Sequence, residues 1–223
     1  MNAGWARIVR AGFWLLYNPF AWTYDAVSWL VSMGAWRAWT MAALVHMPAQ
    51  PGHVLEIAHG PGHVQRALAE RGVHAVGLDR SRAMGRLAAH RLRRGGFAQR
   101  LVLGDAYTLP FPDGAFTCVI STFPTGFIVA PTALREIYRV LAPGGRAVIV
   151  PGAGFTSGGA VRAVLEWAYR VTGQQNPDVR TADPAVLYAP MLTHFAAFGF
   201  TPSVHAVSCP RSIAYVLVLE RGG

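Results

Sequence analysis

The chain has 223 residues, of which 52% are apolar and 14% charged. That length gives one domain, or one domain with an appendage, and the apolar content excludes a wholly disordered chain. All 20 basic side chains are Arg, set against 11 acids, for a net charge of +9. Such a balance favours anionic neighbours (nucleic acid, acidic lipid, phosphate), although all-Arg usage is equally what a biased genome composition produces.

Two cysteines, Cys118 and Cys209, are too few for a disulfide framework and lack metal-type spacing. The basic start and the apolar stretch after it raise a signal peptide. Asn18-Pro19 interrupts that run and no small-residue cleavage site follows, so a cytoplasmic protein is expected. Residues 11–36 carry one charge, Asp25, but Pro19 and Asp25 break the run below the ~20 residues a membrane span needs. Lying on a membrane suits this segment better than crossing one.

Residues 1–48 hold six of the seven tryptophans and are read as a Trp-rich helical cap, with helices near 3–17 and 22–46. Trp22, Trp29 and Trp36 recur every seven residues and fall on one stripe of a continuous helix. Pro48 to Gly52 marks the boundary, and residues 49–223 form the main domain. There, short apolar runs alternate with amphipathic segments. Strands are expected at 54–57, 74–78, 100–103, 117–121 and 147–150, with helices at 62–71, from an N-cap at Ser81 to 94, and at 133–141. Residues 151–182 break the alternation as an insertion with a helix near 160–172. A helix at 184–198 then precedes strands at 203–208 and 213–219, joined by a tight turn at Pro210-Arg211. Strand–helix alternation predicts an α/β fold, a parallel sheet covered on both faces and ending antiparallel.

The run Glu56-Ile57-Ala58-His59-Gly60-Pro61-Gly62 joins the first strand to the first helix of this domain. Glycines there let backbone approach a ligand, and the helix start offers free N–H groups. Such a turn alone also fits dinucleotide oxidoreductases and ligand-free turns. The dinucleotide fingerprint, however, places a third glycine where this chain has Gln65. Asp79 ends the second strand, 17 residues after Gly62, where a carboxylate can accept from both hydroxyls of a ribose.

Four stretches carry a resemblance: Val54-Leu55-Glu56 through Gly62, Gly77-Leu78-Asp79, Gly104-Asp105-Ala106 with Leu109-Pro110-Phe111, and Glu136 through Gly145. At this mutual spacing the chain resembles the class I S-adenosylmethionine-dependent methyltransferases, and most the branch of ubiquinone and menaquinone C-methyltransferases. The resemblance implies a doubly wound, seven-stranded, mostly parallel Rossmann-like sheet with S-adenosylmethionine as cofactor. It further implies that Glu56, with the backbone of Ala58, His59, Gly60 and Gly62, lines the amino-acid end of the cofactor. Asp79, followed by Arg80, would bind the ribose, Asp105 and Ala106 would meet the adenine, and Ser121 would lie where the chain passes the sulfonium. Ala58 and His59 depart from the usual glycine and small residue of the motif, so a cofactor-binding, non-catalytic relative is one alternative.

For the acceptor, Tyr24-Asp25 resembles a Tyr-Asp pair on an N-terminal helix that folds over the cofactor in many relatives. Tyr17, Tyr24 and Phe123 are the expected substrate contacts. Ser121-Thr122-Phe123-Pro124-Thr125 replaces the Asn-Pro-Pro-Tyr type motif of amine methyltransferases, which points to a small, apolar, quinone- or lipid-like acceptor. No single catalytic residue follows. His59 and His63, at i and i+4, invite a zinc site, but they lack acidic or Cys partners and would collide with the cofactor; no metal is expected. The arginines of residues 80–100 suggest RNA methylation as the other alternative. Without aromatic interleaving they read as a solvated helix face, so no nucleic-acid partner is favoured. The aromatic N-terminus, with Arg7, Arg10 and Arg37, fits peripheral contact with a membrane surface.

Overall fold

The computed structural model describes residues 11–12, 15–16, 18–156 and 183–223. Tyr17 and residues 157–182, including the helix expected near 160–172, lie outside the described residues, as does most of the helix expected at 3–17.

Seven strands form one sheet: β1 (Val54–Ile57), β2 (Ala75–Asp79), β3 (Leu101–Leu103), β4 (Phe116–Thr122), β5 (Leu141–Phe155), β6 (Phe200–Cys209) and β7 (Ser212–Arg221). Their order is β3-β2-β1-β4-β5-β7-β6. Pairs among β1 to β5 are parallel, and β7 runs antiparallel to both of its neighbours. The order reverses between β1 and β4, so the ligand crevice of an open α/β sheet falls at their carboxyl ends.

Helices α3 (His63–Glu70), α4 (Arg82–Arg94), α5 (Pro131–Val140) and α6 (Pro184–Ala196) cover the sheet. Side chains alternate across each strand and therefore build two cores. Leu55, Ile57, Val119, Ile149 and Leu217 pack with Leu134, Ile137 and Phe195 of α5 and α6. Val54, Cys118, Ile120, Val148 and Val216 pack with Val64 and Leu68 of α3 on the other face. Ser81 caps α4 as expected, its hydroxyl accepting from Met84 N at 3.2 Å.

The N-terminal cap differs from the single helix expected over 22–46. It is a 3-10 turn (Ala21–Thr23), α1 (Tyr24–Ser32), α2 (Trp36–Met41) and a second 3-10 turn (Ala42–His46). Met33 and Gly34 are left-handed, at φ 51° and 83°, and end α1; Gly34 N donates to Trp29 O at 2.8 Å. Ser32 Oγ then accepts from Trp36 N at 2.9 Å as the helix restarts. This break destroys the seven-residue stripe. Trp22 and Trp29 stay exposed, at 72% and 63%, whereas Trp36 turns inward and the unmarked Trp39 is buried. Trp39 Nε1 donates to Ser212 Oγ at 2.8 Å, which fixes α2 to β7.

Strand β5 is also longer than the expected 147–150. Helix α5 stops at Val140, and Pro143-Gly144-Gly145 already lies in the strand. Its far half is held by pairing of Gly152 to Phe155 with β7, past a bulge after Ile149.

Candidate active site

The turn after β1 is shaped by three left-handed residues: Ala58 at φ 57°, Gly60 at 53° and Gly62 at 82°. Gly62 is required by packing as well, since a Cβ there would sit 2.7 Å from the Ala88 Cβ of α4. A Cβ on Gly60 would meet nothing within 4 Å, so the turn leaves open space above its centre. Ala58 carries a methyl in a conformation that costs an L-residue about 1–2 kcal/mol.

Asp79 organises this turn from below. Its Oδ2 accepts from Gly60 N at 2.9 Å and its Oδ1 from Ser81 N at 2.8 Å. The Asp79 carbonyl accepts from Gly104 N at 3.1 Å, which draws the end of β3 alongside. A carboxylate has about four lone-pair sites, so these contacts leave capacity for ribose hydroxyls. An open cleft of roughly 400 Å³ runs from His59 and Asp79 past Ser81, Arg82 and Arg86 to β3.

Glu56 is buried beneath the turn, and its Oε2 has no hydrogen-bond partner. Burial pushes its carboxyl up to about 8; Gln65 opposes the shift and the nearby Asp79 adds to it. His59 is buried too, its Nδ1 2.7 Å from Gly60 O. Burial holds the His59 imidazole below its usual value, against the pull of Asp79.

Of the expected cofactor residues, Glu56, Ala58 to Gly60, Gly62, Asp79, Arg80, Asp105 and Ala106 lie at or just beyond the carboxyl ends of β1, β2 and β3. Arg80 is exposed beside Asp79. Asp105 is exposed, with Oδ1 accepting from Tyr107 N at 3.1 Å, while Ala106 is buried. Ser121 is placed differently from its expectation: its hydroxyl is buried and donates to Ile57 O at 3.0 Å, tying β4 to β1 rather than facing the crevice.

On the acceptor side, Phe123 leaves β4 in a left-handed conformation, φ 49°. Its ring stacks on Trp36 with centroids 4.3 Å apart, and Tyr24 meets Trp36 edge-on at 6.2 Å. Phe123 and Tyr24 thus belong to one aromatic wall. Its centre, Trp36, was hidden in the sequence by the assumption of one long helix.

Two further networks were not legible from spacing. Asp25 Oδ1 pairs with His63 Nε2 at 2.9 Å and its Oδ2 with Arg91, whose guanidinium also donates to Pro61 O in the glycine turn. His63 bonding holds the Asp25 carboxyl below the usual range. His59 and His63, weighed as a zinc pair, thus reach different partners. Among the described residues no group of three or more His, Cys, Asp or Glu could hold a metal ion. The second network is Arg139 with Glu136 on α5, which grips residues 109–113 beyond Asp105.

The unpartnered Oε2 of Glu56, the open space over Gly60 and the Asp79 carboxylate fit a ligand with a charged polar end and a ribose. The fold is that of the class I S-adenosylmethionine-dependent methyltransferases. Residues 54–145 match the family model described as a methyltransferase domain. The chain is similar to a demethylmenaquinone methyltransferase of Thermus thermophilus, 37% identical over 60% of this chain and 63% of that one. It is also similar to a 2-phytyl-1,4-naphtoquinone methyltransferase of Synechococcus elongatus, 35% identical over 60% of this chain and 61% of the other. The chain thus spans somewhat less than two thirds of the length of these curated relatives. Among solved structures, a candidate S-adenosyl-L-methionine-dependent methyltransferase of Methanococcus maripaludis shares the fold. Its TM-score is 0.63 at 18% identity, covering 91% of this chain and 92% of that one.

Proposed function

We propose that the protein transfers a methyl group from S-adenosylmethionine to a small, apolar, quinone-like acceptor. The observation that carries the cofactor half is Asp79, which joins the glycine turn to the ends of β2 and β3 and borders the open cleft. For the acceptor, support comes from the aromatic wall of Tyr24, Trp36 and Phe123, together with the quinone substrates in the relatives' names.

In this reading Glu56 and the backbone of Ala58 to Gly62 hold the amino-acid end, Asp79 the ribose, and Asp105 with Ala106 the adenine. When bound, the cofactor supplies an already activated methyl group. The chain's own work is alignment and exclusion of water, and alignment alone lowers such a barrier by about 7–11 kcal/mol. The cap supplies the cover: Asp25 fastens α1 over the glycine turn, and Trp36 closes on Phe123. Residues 1–48 are accordingly read as a cap on the domain of residues 49–223, with Tyr17 a further acceptor contact.

An apolar acceptor dissolved in a bilayer gives the outer cap surface a purpose. Phe20, Trp22, Trp29, Leu30 and Met33 are all at least half exposed there. Beside them, Asn18 meets the capping Ser81 and the turn Ala21–Thr23 adjoins α4, whose Arg82 and Arg86 are exposed. Aromatic side chains flanked by arginines suit peripheral contact with an anionic membrane surface. No helix among the described residues is long and apolar enough to cross one.

The test is transfer of labelled methyl to reduced demethylated naphthoquinones presented in anionic vesicles, with bulk RNA as the competing acceptor. Label in the quinone, lost in Asp79→Ala, is expected. Label in RNA alone, or cofactor binding with no transfer to any quinone, would overturn this function.

A further inference from the structure

Helix α1 is built inside out. Asp25, Ser28 and Ser32 fall on one stripe, which faces the protein and is polar. Ser28 and Ser32 are buried, and their hydroxyls turn back on their own helix, donating to Asp25 O at 3.1 Å and to Trp29 O at 3.4 Å. The opposite stripe, Ala26, Trp29 and Leu30 with Met33 just past the helix end, is apolar and exposed. A helix that docks on a core does the reverse. The side chains that would anchor α1 by burial are turned to solvent.

Attachment falls instead to Asp25. Its carboxylate bonds His63, the first residue of α3, and Arg91 of α4, which also donates to Pro61 O in the glycine turn. Just before α1, Asn18 Oδ1 lies 3.5 Å from the hydroxyl of Ser81, a residue lining the cleft. Residues 18–32 thus form a strap from the cleft rim at Ser81 to the glycine turn at Pro61. The chain then breaks at the left-handed Met33 and Gly34. Beyond the break, α2 is locked by the Trp39–Ser212 bond and the Trp36–Phe123 stack. The strap therefore has a latch at Asp25, a hinge at Met33-Gly34 and a fixed base.

Ion pairs of a half-exposed carboxylate are weak ties. The outer face competes with them: Phe20, Trp22, Trp29, Leu30 and Met33 gain nothing in water and would gain by burial. Beside this face α4 exposes Arg82, Arg86, Arg93 and Arg94, on a chain of net charge +9. Apolar side chains flanked by arginines match a surface with hydrocarbon below and anions above. A second copy of the chain is a poorer match, because it would bring the same arginines against these.

Resting on the methyl transfer proposed above, we propose that α1 is a lid that an anionic bilayer opens. In water Asp25 holds it shut. At a membrane its apolar face enters the headgroup region, anionic headgroups compete with Asp25 for Arg91, and α1 swings about Met33-Gly34. The site then opens on the side from which an acceptor dissolved in the bilayer arrives, and ligand exchange becomes membrane-dependent.

The experiment follows release of S-adenosylhomocysteine from the full chain by stopped flow. It is run in buffer, with phosphatidylcholine vesicles, and with vesicles that also contain phosphatidylglycerol, alongside co-sedimentation and hydrogen exchange. The anionic vesicles should bind the protein, speed release about tenfold, the scale of two such ion pairs, and quicken exchange at residues 59–63. Neutral vesicles should do neither. Asp25→Asn should release at the fast rate in buffer alone, and vesicles should add little. A variant carrying Trp29→Gln and Leu30→Gln, altered only on the outer face, should keep the slow rate in buffer and lose the response to vesicles; its thermal melt establishes that it is folded. Binding to anionic vesicles with release and exchange unchanged, or an outer-face variant that responds like wild type, would overturn the lid. So would a dimer in buffer that this variant dissociates, since the apolar face would then belong to a second copy. Failure of wild type to bind S-adenosylhomocysteine would bring down the cofactor assignment and the lid with it. Vesicle-dependent release without methyl transfer to any quinone would bring down the acceptor alone.

Discussion

Arg139→Met tests whether the loop after β3, the proposed adenine side, is held by one side chain. The guanidinium donates from Nε and Nη2 to the two Glu136 oxygens at 2.7 and 2.8 Å, and from Nη2 and Nη1 to Leu109 O and Phe111 O at 3.0 and 2.8 Å. A further bond reaches Asp113 at 2.7 Å, while Glu136 Oε2 accepts from Leu109 N at 2.7 Å. Asp113 is largely exposed and contributes little. The fork to Glu136 and the two carbonyl bonds, discounted for partial exposure, are together worth about 3 kcal/mol. At this chain length that lowers Tm by about 10 °C. Arg139→Lys keeps the charge beside Glu136 but not the planar fork, and should recover about 1 kcal/mol. The acid limb carries the sign. Bonding to Arg139 holds the Glu136 carboxyl below its ordinary 4.5, so the pair's contribution is present above that pH and lost as pH falls through the depressed value. Urea unfolding at pH 7 and at pH 3 should show the gap between wild type and Arg139→Met closing in acid. Hydrogen exchange should quicken at residues 105–113, and adenosine and S-adenosylhomocysteine should weaken alike. A loss at pH 7 no larger than that of the exposed Arg93→Met would refute the clamp.

Two further predictions concern the glycine turn. Because burial raises the Glu56 carboxyl from 4.5 to about 8, the ligand-free protein is fully stable with respect to this group below pH 4.5 and loses stability as pH rises towards 8. Glu56→Gln, neutral throughout, should gain on wild type by on the order of 3 kcal/mol between pH 5 and pH 8 in denaturant titrations, and parallel curves would contradict this. Ala58→Gly removes the left-handed penalty at a cost in unfolded-chain entropy, so unfolding at pH 7 should show a net gain of about 0.5–1 kcal/mol; a loss would mean that the Ala58 methyl is needed where it sits.

The sheet was legible because each buried strand writes an apolar run: Val54–Ile57 was read to the residue, and Ala75–Asp79 within one. The glycine turn was legible for a different reason. Close backbone approach leaves glycines at fixed intervals, and the carboxylate that pins Gly60 must end the adjacent strand. Where reading failed, the determining contact was long-range or conformational. Periodicity over 22–46 cannot register two left-handed residues, although Gly34 was the available signal. The full extent of β5 was masked by Pro143, Gly144, Gly145 and Gly152, and it is enforced by β7, sixty residues downstream. The partners of Asp25, 38 and 66 residues away, leave no local trace.

The distribution of anchors suits the methyl transfer proposed above. Methyl transfer from an activated donor asks for alignment more than for acid–base chemistry, and alignment requires rigid loops. Each loop here has its own fastening. Asp79 and Arg91 hold the glycine turn through Gly60 N and Pro61 O, and Glu136 with Arg139 holds the loop after β3. The cap is fastened unevenly. Helix α2 is locked by the buried Trp39–Ser212 bond, whereas the charged ties of α1 converge on Asp25, itself about half exposed. In the proposed function, the side that would admit an apolar acceptor is closed by the ion pairs of a half-exposed Asp25, while the glycine turn and the loop after β3 are held by side-chain bonds to their backbone. On that proposal, the asymmetry would let one substrate enter without loosening the loops that position the other.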